Sequence, residues 1–157
     1  MDTLEKIAKI LIDRKLRIAT TESCTGGLLS SKLTDISGSS AFIHLNFVTY
    51  SNDAKNKVLG VRQETLENYG AVSPECAFEM AEGLHKFTGA DICISTTGIA
   101  GPTGGSPEKP VGLMYSTIYT PQKSLTFDVI LPPDTKRIDM KESFVQEVLL
   151  KLYTFLT

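Results

Sequence analysis

Two glycine-bearing stretches hold most of the side chains here that can do chemistry. The first, Glu22-Ser23-Cys24-Thr25-Gly26-Gly27, sets a hydroxyl beside a thiol just ahead of two glycines. The second, Thr97-Gly98-Ile99-Ala100-Gly101-Pro102-Thr103-Gly104-Gly105, has four glycines in nine positions, more than a simple turn needs. Glycines at a helix start let the backbone approach a ligand, and the free N–H groups there suit an anion, whether a phosphate or a developing oxyanion. Neither stretch ends in the Gly-Lys-Ser/Thr of a phosphate loop, and neither has the spacing of a dinucleotide fingerprint. Taken singly, each residue has an ordinary structural reading. Ser23 is a natural helix cap, Lys55 a solvated helix residue and Tyr50 a half-buried strand residue. Residue types alone therefore reach a small-ligand site between two loops and no further.

Cys24 competes with Ser23, because a thiol at a helix N-terminus is readily ionised. Neither His44 nor His85 is placed by a motif to serve it. Ser106-Pro107-Glu108-Lys109 spells a serine-x-x-lysine, but that motif needs a helix to align both groups, and this stretch is a Gly/Pro-rich loop. Glu22, Asp53 and Asp91 are scattered acids without paired spacing.

The elements that must position these loops are legible from periodicity. Leu4, Ile7, Ala8, Leu11 and Ile12 give an amphipathic helix over 2–15, Leu16–Thr21 a strand, and Leu28–Ile36 a second helix. Phe42–Tyr50 reads as a strand. Ser51 caps a helix that carries Lys55 and ends at Gly60. Ser73-Pro74-Glu75 starts another helix: a capping hydroxyl, proline at the first position, an acid in the first turn. Ile92–Thr96 is a buried strand, 111–119 and 125–131 form a hairpin, and a long helix closes the chain. The expected fold is α/β: a single-domain three-layer α/β/α sandwich over residues 1–157, with a mixed, mainly parallel sheet of about five strands. In such sheets ligands sit beyond the carboxyl ends of the strands, where both glycine stretches begin.

Composition narrows the function. The 157 residues are 41% apolar and carry a net charge of −2, so a nucleic-acid surface is not expected and no run is long enough to span a membrane. The charged, periodic N-terminus is unlike a signal peptide. Three unspaced cysteines read as reduced thiols of a cytoplasmic protein. With two histidines no metal site is expected, and no cofactor either.

Several blocks, in this order, resemble the CinA C-terminal family: Glu22–Gly27, Tyr50-Ser51-Asn52-Asp53-Ala54-Lys55, Gly70-Ala71-Val72-Ser73, Thr97–Pro102, and Pro107-Glu108-Lys109-Pro110-Val111-Gly112. The resemblance runs from the first helix to the strand after Gly112. Stand-alone members of that family are nicotinamide-nucleotide amidases. The resemblance therefore implies hydrolysis of the carboxamide of nicotinamide mononucleotide to nicotinate mononucleotide and ammonia. It implies Ser23 as nucleophile, Lys55 as base and Tyr50 beside them. Substrate contacts fall on Thr25, Gly26, Gly27, Asn52, Thr97, Gly98, Gly101, Lys109 and Arg137, with Lys109 alternatively ordering its loop. Larger members carry an N-terminal nucleotide-pyrophosphatase domain, an activity not expected of this chain. Self-association into a homo-oligomer is expected as well.

One stretch departs from the family pattern. Members tend to have Gly-Asp-Arg before the last helix and another arginine four residues on. Here Pro133-Asp134-Thr135-Lys136-Arg137 stands there, with Lys141 four residues after Arg137. Arg137 is the expected phosphate contact, and a one-residue shift would make it Lys136. Two alternatives stay open: a non-catalytic nucleotide-binding or regulatory module, and an amidase for another carboxamide. A lysine base adds a requirement. With an ordinary pKa of ~10.4, only about one lysine in a thousand is neutral near pH 7.4, so Lys55 must be desolvated.

Overall fold

The computed structural model describes all of residues 1–157. Five strands form one sheet in the order β2-β1-β3-β4-β5, with β1 at Ile18–Glu22, β2 at Ile43–Val48, β3 at Ile92–Gly98, β4 at Leu113–Tyr119 and β5 at Ser124–Ile130. β1 pairs in parallel with β2 and β3, while β3–β4 and β4–β5 are antiparallel. Four strands thus point one way and β4 opposes them. Six helices flank the sheet: α1 (Thr3–Asp13), α2 (Leu28–Leu33), α3 (Asn52–Leu59), α4 (Gln63–Tyr69), α5 (Pro74–Thr88) and α6 (Arg137–Leu156).

The alternation of apolar residues along the strands feeds two separate cores. Ile18, Ile92, Ile94, Met114 and Ile118 face one side and pack with Ile7, Leu11, Leu29, Phe144 and Val148 of α1, α2 and α6. Ala19 and Cys93 face the other side and pack with Leu59, Cys76, Met80 and Leu84 of α3 and α5. The sheet becomes polar toward the carboxyl ends of β1 and β3. Thr20, Thr21, Glu22, Ser95, Thr96 and Thr97 are all buried, an expensive arrangement unless each is hydrogen-bonded. Most of them are: Thr21 Oγ1 lies 2.8 Å from Thr49 Oγ1, and Ser95 Oγ donates to the Ala77 carbonyl at 2.6 Å. From β1 the chain leaves to β2 on one side and β3 on the other. This is the switch point at which open α/β sheets bind ligands.

The expected elements form, with shifted limits. Lys15 turns the chain at φ 56°, so β1 starts at Ile18 and runs on through Glu22. α2 stops at Leu33 and a 3₁₀ turn follows at Ser39–Ala41. β4 begins only after Gly112, whose φ of 99° and closeness to the Leu131 carbonyl leave no room for a Cβ. The sequence reading missed α4, a short helix whose cap residue Arg62 makes no side-chain cap bond and which buries only Thr65 and Leu66.

Candidate functional site

Ser23 follows the last residue of β1. Its N–H donates to the carbonyl of Thr96 at 3.0 Å and to Thr96 Oγ1 at 3.3 Å, tying it to the end of β3. Lys55 arrives on α3. Ser51 accepts from the Ala54 N–H at 3.0 Å, as a cap should. Lys55 and Leu59, four apart, then form the buried face of the helix. Lys55 is 1% exposed and Ser23 8% exposed.

Lys55 Nζ lies 2.9 Å from Ser23 Oγ, 3.0 Å from the Thr49 carbonyl and 2.8 Å from the Tyr50 carbonyl. An ammonium donates to all three. A neutral amine keeps its two N–H groups for the carbonyls and offers its lone pair to Ser23. The serine hydroxyl then turns from the Tyr50 carbonyl, 3.3 Å away, to Nζ. Burial pushes the Lys55 pKa down, opposed by Cys76 and Cys24 when these are thiolates. Burial in turn lifts those thiols to about 11 and about 12, so at neutral pH they are uncharged and desolvation prevails. The same fact removes Cys24 as a competing nucleophile: it is a buried, protonated thiol.

The structure sorts the other expected residues. Tyr50 contributes its carbonyl to Lys55, but its side chain is 58% exposed and its hydroxyl accepts from Arg137 Nη2 at 3.1 Å. Tyr50 thus stands beside Ser23 and Lys55 through its carbonyl, while its phenol hydrogen-bonds neither. Arg137 Nη1 also donates to the Gly101 carbonyl at 2.6 Å. Arg137, Tyr50, Cys24, Gly98 and Gly101 line one cleft of about 200 Å³. Lys136 is the N-cap residue of α6 and does not line this cleft.

The hydroxyls of Thr25 and Thr97 are engaged within the protein. Thr25 Oγ1 is held by Glu22 and Thr96, and Thr97 Oγ1 donates to the Ala71 carbonyl at 2.8 Å. Lys109 Nζ donates to the Tyr69 carbonyl at the end of α4, which makes it a loop-ordering residue. Asn52 is exposed on the first turn of α3. Gly26 and Gly27 take φ of 60° and 103°, as their place before α2 demands.

Unpaired backbone donors lie on both loops, and those of Cys24, Ala100, Gly101, Thr103 and Gly104 belong to residues that line the cleft. The N–H groups of Cys24, Thr25 and Gly27 have no acceptor within the protein, and neither do those of Ala100, Gly101, Thr103 and Gly104. Such clusters attract anions. Sequence reasoning missed Glu22, which is fully buried and bonded to α2. It also missed Lys141, whose ammonium would sit 3.3 Å from a Cβ at Gly26. An acid ending an otherwise apolar and threonine-rich strand was the only sign of the first. A larger cavity of about 420 Å³ lies by the start of β3 and the end of α6. There Arg14 and Lys123 donate to the Leu156 and Phe155 carbonyls, which ends the helix and leaves no reactive group.

No three His, Cys, Asp or Glu side chains come together to hold a metal, and no helix is long and apolar enough to cross a membrane.

A five-stranded mixed sheet between helices, with a serine and a buried lysine at its switch point, defines an α/β class of protein. The particular family follows from comparison: residues 1–156 match the CinA C-terminal domain, and the chain belongs to that family. It is 54% identical over 134 residues to a competence-damage inducible protein of Thermoanaerobacter pseudethanolicus (85% of this chain, 32% of that one). It is 58% identical over 119 residues to a CinA-like protein of Chloroherpeton thalassium (76% of this chain, 28% of that one). The chain therefore spans less than a third of the length of these curated relatives. Among solved structures it is similar to the competence/damage inducible protein CihA from Agrobacterium tumefaciens, with a TM-score of 0.91 and 39% identity over 100% of this chain and 98% of that one.

Proposed function

We propose that this chain is an amidase that hydrolyses the carboxamide of a nicotinamide nucleotide. The observation that carries the reading is the 2.9 Å approach of a buried Lys55 amine to the Ser23 hydroxyl. In this mechanism Ser23 Oγ attacks the carboxamide carbon as its proton passes to Lys55 Nζ. The negative oxygen of the tetrahedral intermediate meets the unpaired N–H groups of the Ser23 turn. Lys55 then returns the proton to the departing nitrogen, the C–N bond breaks and ammonia leaves an acyl ester on Ser23. Water, deprotonated by Lys55, cleaves the ester to nicotinate mononucleotide and restores the serine.

The cleft supports a nucleotide as substrate. Arg137 and the free N–H groups of Ala100 to Gly104 suit a phosphate. The exposed ring of Tyr50 suits a cationic pyridinium. The reading is tested by incubating the purified protein with nicotinamide mononucleotide and measuring ammonia, with Ser23→Ala as control. Ammonia release that depends on Ser23 supports it. No release above the control, at any pH from about 6 to 10, refutes it.

A further inference from the structure

A serine at the start of a helix normally caps it, its hydroxyl accepting the first free N–H groups. Ser23 does not do so: it stands four residues before Gly27, the N-cap of α2, and its hydroxyl faces Lys55 at 2.9 Å. α2 begins after Gly27, which has φ 103° and offers no capping side chain. Glu22 reaches across the turn instead. Its Oε1 accepts from the Leu29 N–H at 2.8 Å and Oε2 from the Ser30 N–H at 2.9 Å. Two hydroxyls complete the shell, Thr25 Oγ1 on Oε1 and Ser30 Oγ on Oε2, both at 2.6 Å. Each carboxylate oxygen thus holds one backbone N–H and one hydroxyl.

These bonds also set a direction. Because Thr25 donates its proton to Glu22, Thr96 Oγ1 must donate to Thr25 Oγ1, 2.8 Å away. Thr96 is then left as an acceptor for the Ser23 N–H at 3.3 Å. A one-way chain of hydrogen bonds runs from the backbone of Ser23 through two threonines to the buried carboxylate.

We infer that Glu22 is the positioning residue of the reactive turn: by capping α2, whose N-cap Gly27 has no side chain to do so, and by anchoring Thr25, it holds the turn that presents the Ser23 hydroxyl to Lys55 and leaves the N–H groups of Cys24, Thr25 and Gly27 unpaired for the oxyanion. The inference rests on Ser23 being the nucleophile of the proposed amidase. Glu22 touches no substrate; it acts through the turn. Glutamine keeps the size of the side chain but turns an N–H₂ toward one of the two backbone N–H donors, so that bond fails and the hydroxyl on the same side must reverse from donor to acceptor.

The test measures how fast phenylmethanesulfonyl fluoride modifies Ser23 (Oγ–S bond formed, HF lost), followed by intact mass, alongside kcat and KM for nicotinamide mononucleotide and the melting temperature. Glu22→Gln should slow labelling and kcat by about tenfold or more, as lost oxyanion and nucleophile alignment does, with KM changed by less than about twofold. Thr25→Val removes one donor and breaks the chain to Thr96 while sparing the other three bonds. It should shift the same two rates in the same direction, and it decides the matter if Glu22→Gln does not fold. A merely structural role lowers the melting temperature and leaves labelling and kcat of the folded variants at the wild-type values; that result overturns the inference. Wild type that labels at Ser23 but releases no ammonia retires the amide substrate, and the labelling ratio still decides the role of Glu22. Wild type that does not label at Ser23 overturns both.

Discussion

If Lys55 is the base, one titration should govern both rate and stability. Burial lowers the Lys55 pKa in the folded protein, whereas the unfolded chain titrates near ~10.4. Between those two values the unfolded state binds the extra proton, so the contribution of Lys55 to stability rises with pH there, by up to about 1.4 kcal/mol per pH unit. Above the unfolded value the penalty is gone, and below the folded value it is constant and at its largest. Activity needs the neutral amine, so the rate should rise through the folded pKa and then level off. The midpoint of the rate profile should therefore coincide with the lower edge of the stability slope. Cys24, Cys76 and Cys93, lifted to about 12, about 11 and about 11, act with the opposite sign: above the ordinary thiol value of ~8.5 the unfolded chain sheds protons that the folded one keeps, so their contribution falls with pH. The Lys55 contribution is therefore read as the difference between wild type and a variant without the amine.

Lys55→Met removes the amine and keeps the bulk of the stem. It should remove the rising contribution to stability while lowering kcat by about 10²–10⁴-fold, or about 3–5 kcal/mol of barrier. Lys55→Arg stays charged and should be equally inactive, because a permanent cation cannot take the serine proton. The assays are ammonia release for the rate and urea unfolding for stability, both from about pH 6 to 10. A rate independent of pH, a pH profile of stability that Lys55→Met leaves unchanged, or substantial activity in Lys55→Arg would refute the reasoning.

Further outcomes follow from the same geometry. Ser23→Ala should lose about 10⁴-fold or more of kcat in the ammonia assay, whereas Cys24→Ala, which removes a buried and protonated thiol, should stay within about threefold of wild type; the reverse pattern would end the serine mechanism. Arg137→Ala deletes the bridge between the Gly101 carbonyl and the Tyr50 hydroxyl. It should raise KM for the nucleotide by about tenfold or more, the scale of a lost bond to a charged group, and raise KM for the riboside much less. Equal effects in that comparison would remove Arg137 from phosphate binding. Gly83→Ala would drive a Cβ into the Leu59 carbonyl and force α5 from α3. A cost near ~3 kcal/mol, or about 6–12 °C in melting temperature, is expected by calorimetry. Activity should fall too, because α3 carries Lys55.

Much of this protein is fixed by local sequence. The capped starts of α3 at Ser51 and of α5 at Ser73, and the β4–β5 hairpin, depend on neighbours a few residues apart, so periodicity and turn chemistry reveal them. The glycine stretches could also be placed at the carboxyl ends of strands, because chain order and the rules of α/β connection leave little choice. α4 escaped because a short helix with little buried face and no side-chain cap leaves no pattern. The site divides along the same line. That Ser23 and Lys55 belong together came from family resemblance, not spacing. Their 2.9 Å contact joins residues brought together only when β1 and β2 pair and α3 packs beneath them. Burial of the lysine, the thiol pKa values, the turning of the Tyr50 phenol to Arg137 and the capping of α2 by Glu22 are all tertiary. Each depends on which groups lose water and which donors find acceptors, and those choices are made between segments that the chain order keeps apart.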